Sequence, residues 1–324
     1  MRVIVESHEE ELAIAQRVQE RRSMLASHGC FYCVGAHMDR LLEMYEASDL
    51  QKREFVEHVA ECYADHGKGM PPIEFTRELY HLLAKTFPDQ HPFWERKRRM
   101  NDRALELNSL LKARVRICSN SLLSSLRIAL AGTAIDFLND DDDKLLGKVE
   151  ALLQQPLAAD HTKMLRDRLR QGTRILYLAD KAGEIVFDRL FIRTISGCQV
   201  TYVVNCPNAG LSASGQDADY VDMRLCAKVL ANGCMAPYTL IHHGSARFTA
   251  AWNAADVIIA KGQGNLESVF PLQDPRVFAF FTCGCHLVSK HFGIPMGSSV
   301  VVNVERRLQE VAQQESPITT LMDS

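Results

Sequence analysis

Over the first hundred or so residues, apolar side chains recur at helical spacing; farther on they gather into short continuous runs. Between Glu9 and Met24, Met38 and Tyr45, and Phe55 and Tyr63, apolar positions fall three or four apart among charges. That is the period of helices with one buried face. Pro71, Pro72 and Pro88 break the pattern, and Pro92 precedes another amphipathic stretch from Trp94 to Leu111, since proline has no N–H with which to continue a helix. Leu122 to Phe137 is apolar enough for a buried helix, interrupted near Gly132.

Beyond about residue 170 the texture changes. Strand-like runs are expected at Arg174–Ala179, Gln199–Asn205, Tyr238–His242, Val257–Ala260, Arg276–Phe281 and Ser298–Val304. Helical stretches alternate with them at Glu184–Ile195, Gln216–Leu230, Ala246–Ala254 and His286–Phe292. This alternation predicts an α/β fold, a three-layer α/β/α sandwich around a mainly parallel sheet. Residues 1–112 read as a helical N-terminal region and 113–324 as the sandwich domain.

In a doubly wound sheet the carboxyl ends of parallel strands converge on one edge, where ligands bind. Polar residues mark those ends here: Asp180, Asn205-Cys206, His242-His243, Lys261, and Cys283 with Cys285. After Asp180 comes a Gly183 turn and a helical period starting at Glu184, which leaves backbone N–H groups open to an anion. Lys261-Gly262-Gln-Gly264-Asn265 repeats the arrangement. Asp180, Lys261 and Glu184 are the candidate catalytic residues of this edge, and the Lys261 ammonium can pair with phosphate oxygens as a point charge. Gly183, Gly262, Gly264, Asn265 and Lys181 are candidates for binding substrate, the glycines by close backbone approach and Asn265 also as a helix cap. Glu184 and Asp188, four apart on one helix face, support the loop, unless Asp188 is a surface salt-bridge partner.

Charge and composition narrow the classes. With 37 Lys and Arg against 40 Asp and Glu, the chain has no basic field for nucleic acid. The short run Arg96-Lys97-Arg98-Arg99 reads as a solvated helix face. No apolar stretch approaches membrane-spanning length, and acidic residues stand where a signal peptide needs an apolar core, so the cytoplasm is expected. Ten cysteines in such a chain read as thiols or ligands rather than disulfides. Cys118, Cys198 and Cys226 sit in apolar contexts and read as core. Cys30-Phe-Tyr-Cys33 with Cys62 and His66 has the residue types of a tetrahedral zinc site, the alternative being reduced structural thiols that hold no metal. The helical flanks of that Cys-x-x-Cys argue against a thioredoxin-like role. Asn139 to Asp143 shares only composition with a calcium loop.

Several elements together resemble the damage-control phosphatase (ARMT-like) family. Asp180-Lys-Ala-Gly-Glu-Ile-Val-Phe-Asp188 is similar to that family's Asp-Asn-x-Gly-Glu-x-x-Phe-Asp, and Lys261-Gly-Gln-Gly-Asn-Leu-Glu267 matches its Lys-Gly-Gln-Gly-Asn-x-Glu loop in full. Ala131-Gly-Thr-Ala-Ile-Asp136 resembles an Ala-Gly-Asn-x-Ile-Asp element, and Pro92 through Lys97 to Asn101 resembles a Pro-Tyr-x-x-x-Lys-x-x-x-Asn stretch. The resemblance implies a metal-dependent phosphatase of small phosphorylated metabolites, with Mn, Mg, Co or Ni held at Asp180, at the position of Lys181 and at that of Ser212. Two of those positions are not the family's Asn and Asp. Thr133 stands for a family Asn, and Gly284 for a Lys that many members place before Cys285. Three readings stay open: a phosphatase with an altered metal requirement, a non-catalytic relative binding a phosphorylated or anionic small molecule, and a soft-metal, zinc-type pocket drawing on Cys206, Cys283, Cys285, His242 and His243.

Overall fold

The computed structural model describes residues 28–66, 71–137, 139–140 and 142–314. The helix expected at Glu9–Met24 lies outside them. The chain divides between Gln90 and His91 into two compact units.

The first unit contains α1 (His28–Leu42), α2 (Asp49–His66) and α3 (Pro72–Thr86). Pro72 opens α3 at a position where its missing N–H costs nothing. Phe75, Leu79 and Leu83 follow at four-residue spacing and are all buried. Tyr45 stacks on Phe87 with ring centroids 4.9 Å apart, and Tyr63 meets Phe75 edge-on at 5.5 Å.

The second unit opens with α4 (Phe93–Ile117), a 25-residue helix that runs through position 112. Then come α5 (Ser121–Ala131), capped by Asn120 Oδ1 accepting from Leu123 N, and a 3-10 turn at Gly132–Ala134. The chain continues through α6 (Asp142–Gln154), β1 (Ala159–Asp160), α7 (Thr162–Arg168), β2 (Arg174–Leu178), α8 (Glu184–Thr194), β3 (Gln199–Val204) and α9 (Gly215–Tyr220). The remaining elements are β4 (Lys228–Ala231), α10 (Ala246–Ala254), β5 (Val257–Lys261), α11 (Gln263–Val269), β6 (Val277–Thr282), α12 (His286–Phe292), β7 (Ser299–Asn303) and α13 (Val304–Gln314).

The seven strands form one sheet in the order β1-β7-β6-β5-β2-β3-β4. All neighbours run parallel except β6 and β7. Strand alternation sorts the core. Ile175, Tyr177, Val200, Tyr202, Val257, Ile259, Phe278 and Phe280 face the layer of α4, α5 and α8 in one continuous cluster. The alternate residues Leu176, Leu178, Ile258 and Ala260 are equally buried, on the face covered by α10 and α11. Central strands buried on both faces explain the near-continuous apolar runs seen in the sequence.

Two expected elements are corrected. Tyr238–His242 is not a strand. It is buried irregular chain ending in a 3-10 turn at Ile241–His243, and Thr239 N donates to Asn265 Oδ1 rather than to a neighbouring strand. Its apolar character reflects packing without pairing. The helix expected over Gln216–Leu230 stops at Tyr220. Asp222 then turns left-handed at φ 56°, and the segment ends in edge strand β4, whose half-exposed residues carry little strand signal. Among the described residues, no helix is long and apolar enough to cross a membrane.

Candidate functional site

β2 pairs with β3 on one side and with β5 on the other. Asp180, just past β2, and Lys261, the last residue of β5, thus lie where the strand order reverses, the usual ligand position in an open α/β sheet. Two glycines make the mouth tight. Gly183 has φ 77° and its N–H donates to Asn101 Oδ1 at 2.7 Å; a Cβ there would lie 2.7 Å from the Phe137 ring. Gly262 has φ 79°, and a Cβ there would fall on the Asp180 carboxylate. Asp180 therefore rests on bare backbone: the close approach expected of a substrate at Gly262 is made by Asp180 itself.

Below the mouth lies a buried charge network. Lys261 Nζ donates to Ala129 O at 2.8 Å, Glu184 Oε2 at 3.2 Å and Asp188 Oδ1 at 2.6 Å. Asp188 also accepts from Tyr177 Oη at 2.7 Å and Tyr202 Oη at 2.8 Å. Burial by itself would drive the Lys261 ammonium toward neutrality, but Asp188 and Glu184 outweigh it and hold its pKa above the ordinary lysine value. All the donors of this ammonium are engaged, so it faces the layer of α5 and α8. Asp188 is buried inside the network, which rules out the alternative of a surface salt-bridge partner.

Glu184 is fully buried and its pKa is pushed up to about 7, first by desolvation and further by Asp180 and Asp188, against the pull of Lys261 and Lys181. Among the described residues its Oε1 has no donor, and the charge of Asp180 opposes its ionisation while a protonated Glu184 favours the Asp180 carboxylate. Two carboxyl groups form a hydrogen bond only when one of them carries a proton. Burial also raises Asp180, opposed by Lys181 and Lys261. The ionisation of the two carboxyls is thus linked.

The segment after β3 closes the other side. Ala182 N donates to Leu211 O and Ala213 N to Asp180 O, each at 2.9 Å, and Lys181 forms a bridge with Ser212. Asp180, Lys181 and Ser212 are thereby brought together. Lys97 Nζ, at 2.8 Å from Asp217 Oδ2 and 3.0 Å from Ser214 Oγ, anchors this segment from α4, and Asn101 Nδ2 donates to Asp217 Oδ1 at 2.8 Å. Lys97 is buried, which corrects its reading as part of a solvated face; Arg98 and Arg99 are exposed. Lys97 and Asn101 are the Lys and Asn of the Pro92–Asn101 stretch, but their place in the site, like that of Asp217, was not expected. The available signal was two polar residues on the same helical stripe as Phe93, Met100 and Ala104.

Other expected roles look different in place. Asn265 does not cap α11. Its Nδ2 donates to Ala179 O and Lys261 O, each at 2.8 Å, and its Oδ1 accepts from Thr239 N, so it ties β2 to β5. At Gly264 the close approach is by the Tyr238 ring, which a Cβ would meet at 2.5 Å. Thr133 Oγ1 lies 2.9 Å from Thr282 Oγ1. Gly284 N donates to Gln263 Oε1, and Gln263 Nε2 to Glu267 Oε1 at 3.2 Å.

Glu267, unremarked beyond its motif, has its pKa raised to about 7 by burial. Its native state holds a proton that the unfolded chain releases near pH 4.5, so stability declines as pH rises from about 4.5 to 7 and levels off above. Glu267→Gln is expected to remove that decline and to gain about 2–3 kcal/mol at pH 8 relative to pH 4. Urea unfolding across pH checks this, and parallel curves for the two proteins would refute it.

A divalent cation needs several oxygen ligands, preferably more than one anionic. The mouth supplies Asp180 and the donorless Glu184 Oε1. Against these, the Lys181 ammonium lies 4.0 Å from Asp180 Oδ2, and Ser212 Oγ is committed as a donor to Pro237 O at 2.5 Å. The residues present do not fit the divalent ion that the resemblance implies. The soft-metal set is not assembled either: among the described residues no three His, Cys, Asp or Glu side chains converge on a metal position. Cys283 is buried and Cys206 half-buried, and burial raises both thiols, away from the thiolate a soft metal needs. His242 and His243 sit on the 3-10 turn rather than at a strand end. In the first unit, Cys30 and Cys33 lie on α1 and Cys62 on α2, while the side chain of His66 is outside the described residues.

Comparison with known proteins identifies the family. A family model for the damage-control phosphatase ARMT1-like domain matches residues 26–300. Damage-control phosphatase PH1575 of Pyrococcus horikoshii is 25% identical over 291 residues, covering 88% of this chain and all of that protein. A damage-control phosphatase of Archaeoglobus fulgidus is 25% identical over 236 residues, covering 71% of this chain and 80% of its own length. The crystal structure of PH1575, described as a DUF89 family protein, superposes with a TM-score of 0.77 at 26% identity, covering 86% of this chain and 98% of the other. With most of its length matched and the strand-end elements in place, this chain belongs to the damage-control phosphatase ARMT1-like family.

Proposed function

We propose that this protein hydrolyses the phosphate ester of a small phosphorylated metabolite at the mouth of β2 and β5. The observation that carries the reading is the Asp180 carboxylate, set on the bare backbone of Gly262 at the reversal of strand order, with the buried Glu184 at the start of the helix that follows. Glu184, with its pKa pushed up to about 7, holds a proton for part of the time near neutral pH. Asp180, the carboxyl nearer solvent, takes the proton of an attacking water and returns it to the departing alkoxide oxygen. The products are the alcohol and inorganic phosphate. Lys261 is a positioning residue: it fixes Glu184 and Asp188, and so the start of α8. Lys181, half-exposed beside Asp180, is the cation placed to meet the substrate's phosphate.

A second reading, binding without turnover, is favoured by one observation: Lys181 and Ser212 occupy two of the three positions where the family resemblance places metal ligands. The two are separated by assaying the purified full chain against an aryl phosphate and a panel of phosphorylated metabolites. Asp180→Asn is expected to lower hydrolysis by about 10²–10⁴-fold while leaving the fold intact by circular dichroism. Hydrolysis that is equal in wild type and variant would sink the catalytic role, and binding without turnover would leave the receptor reading.

A further inference from the structure

We propose that Lys181 is the resident cation of this site: the mouth binds no divalent ion, and the phosphate group of a small monoester seats against the Lys181 ammonium. The inference rests on the proposed function for the identity of its ligand, but its cation half stands separately.

Four observations carry it. The Lys181 backbone is fixed, because residues 180–182 are hydrogen-bonded along residues 211–213 and Lys181 bridges Ser212. Its ammonium lies 4.0 Å from Asp180 Oδ2, and Asp180, Glu184 and Asp136 all favour its charged form. A positive charge among three carboxylates is the electrostatic situation of a bound metal, here supplied by a covalently attached group. Beyond Asp180 and Glu184 Oε1, the further oxygens a divalent ion needs are spent elsewhere. Ser212 Oγ donates to Pro237 O, and Glu184 Oε2 and Asp188 Oδ1 accept from Lys261. Any cation reaching Asp180 would sit a few ångströms from Lys181 and be repelled by it.

An ammonium differs from a metal in what it recognises. It is a strongly hydrated point charge with three donors and no fixed geometry. It pairs with phosphate oxygens without demanding an octahedral shell. Half-exposed at the mouth, it can turn from Asp180 toward an incoming phosphate while Asp180 keeps its seat on Gly262.

Two titrations of the full-length chain test the proposal. The first follows Mn²⁺ binding by calorimetry and by the loss of free-ion paramagnetic resonance. Wild type is expected to bind no Mn²⁺ at the mouth, and the pair of changes Lys181→Asn with Ser212→Asp is expected to create one site. Lys181→Arg, which keeps the charge, is expected to stay without one. Stoichiometric Mn²⁺ binding to wild type that Asp180→Asn removes would overturn the cation half, as would failure of the correctly folded double variant to gain a site. The second titration uses inorganic phosphate with EDTA present. Its affinity is expected to be indifferent to EDTA and to fall about tenfold or more in Lys181→Met, with Lys181→Arg retaining most of it. Phosphate affinity unchanged in Lys181→Met would overturn the ligand half. If phosphate does not bind at all, with or without Mn²⁺, the ligand half falls together with the proposed function, and the Mn²⁺ titration still decides the role of Lys181.

Discussion

Replacing Lys261 with methionine is expected to cost about 3–5 kcal/mol of folding stability, because it leaves buried carboxylates without their counter-charge. The side chain has no solvent exposure, and its ammonium is the donor shared by Ala129 O, Glu184 Oε2 and Asp188 Oδ1. Methionine fills similar volume, so the loss is electrostatic rather than a cavity. For a unit of this size, that corresponds to a drop in melting temperature on the order of 10 °C. The mechanism has its own control. Combining Lys261→Met with Glu184→Gln and Asp188→Asn removes the stranded charges, and most of the lost stability is expected to return, as when a whole buried ion cluster is replaced. Asp188→Asn offers its amide oxygen to one of Tyr177 and Tyr202 and its N–H to the hydroxyl oxygen of the other, where the carboxylate accepts from both on separate oxygens. Urea midpoints of the two variants decide the point. Equal destabilisation in both would mean that Lys261 acts by packing its methylenes and not by its charge.

Gly262→Ala is expected to reduce hydrolysis on the order of 100-fold, more than its effect on stability explains. The residue sits at φ 79° and ψ 162°, a region closed to side chains, and forcing alanine into it costs about 1–3 kcal/mol. The larger consequence is local. The new Cβ would overlap the Asp180 carboxylate, which must move, and a displacement of about 1 Å at a reacting group costs on the order of 10²-fold in rate. Gly172→Ala separates the two effects. Gly172 has a similar φ of 83°, but a Cβ there meets nothing within 4 Å. It therefore carries the backbone strain without touching the site, and activity is expected to hold. Comparable activity losses in the two variants would show that strain, and not the seat of Asp180, governs the rate.

The sheet and its edge were legible from the chain because central parallel strands, buried on both faces, write themselves as unbroken apolar runs. β2, β3, β5, β6 and β7 all appear within a residue or two of their expected places. Asp180 and the glycines of the two turns were legible for a related reason. A carboxylate closing an apolar strand and a glycine required at positive φ are local facts, set by burial and backbone sterics. The edge strand β4 and the irregular Tyr238 segment were not, since neither burial nor pairing there follows a two-residue period.

What each polar side chain does was decided only in three dimensions. Lys261 is written beside glycines like a phosphate ligand, yet its side chain falls on the strand face covered by α5 and α8, where Glu184 and Asp188 claim it. Lys97, written inside a basic run, is carried inward by the period of α4 to Asp217, more than a hundred residues away. Lys181 and Ser212 are distant in the chain and adjacent in the fold. Local sequence determines which residues stand at the strand ends. Which charges neutralise one another, and which remain for a ligand, depends on long-range neighbours and on how much water they exclude.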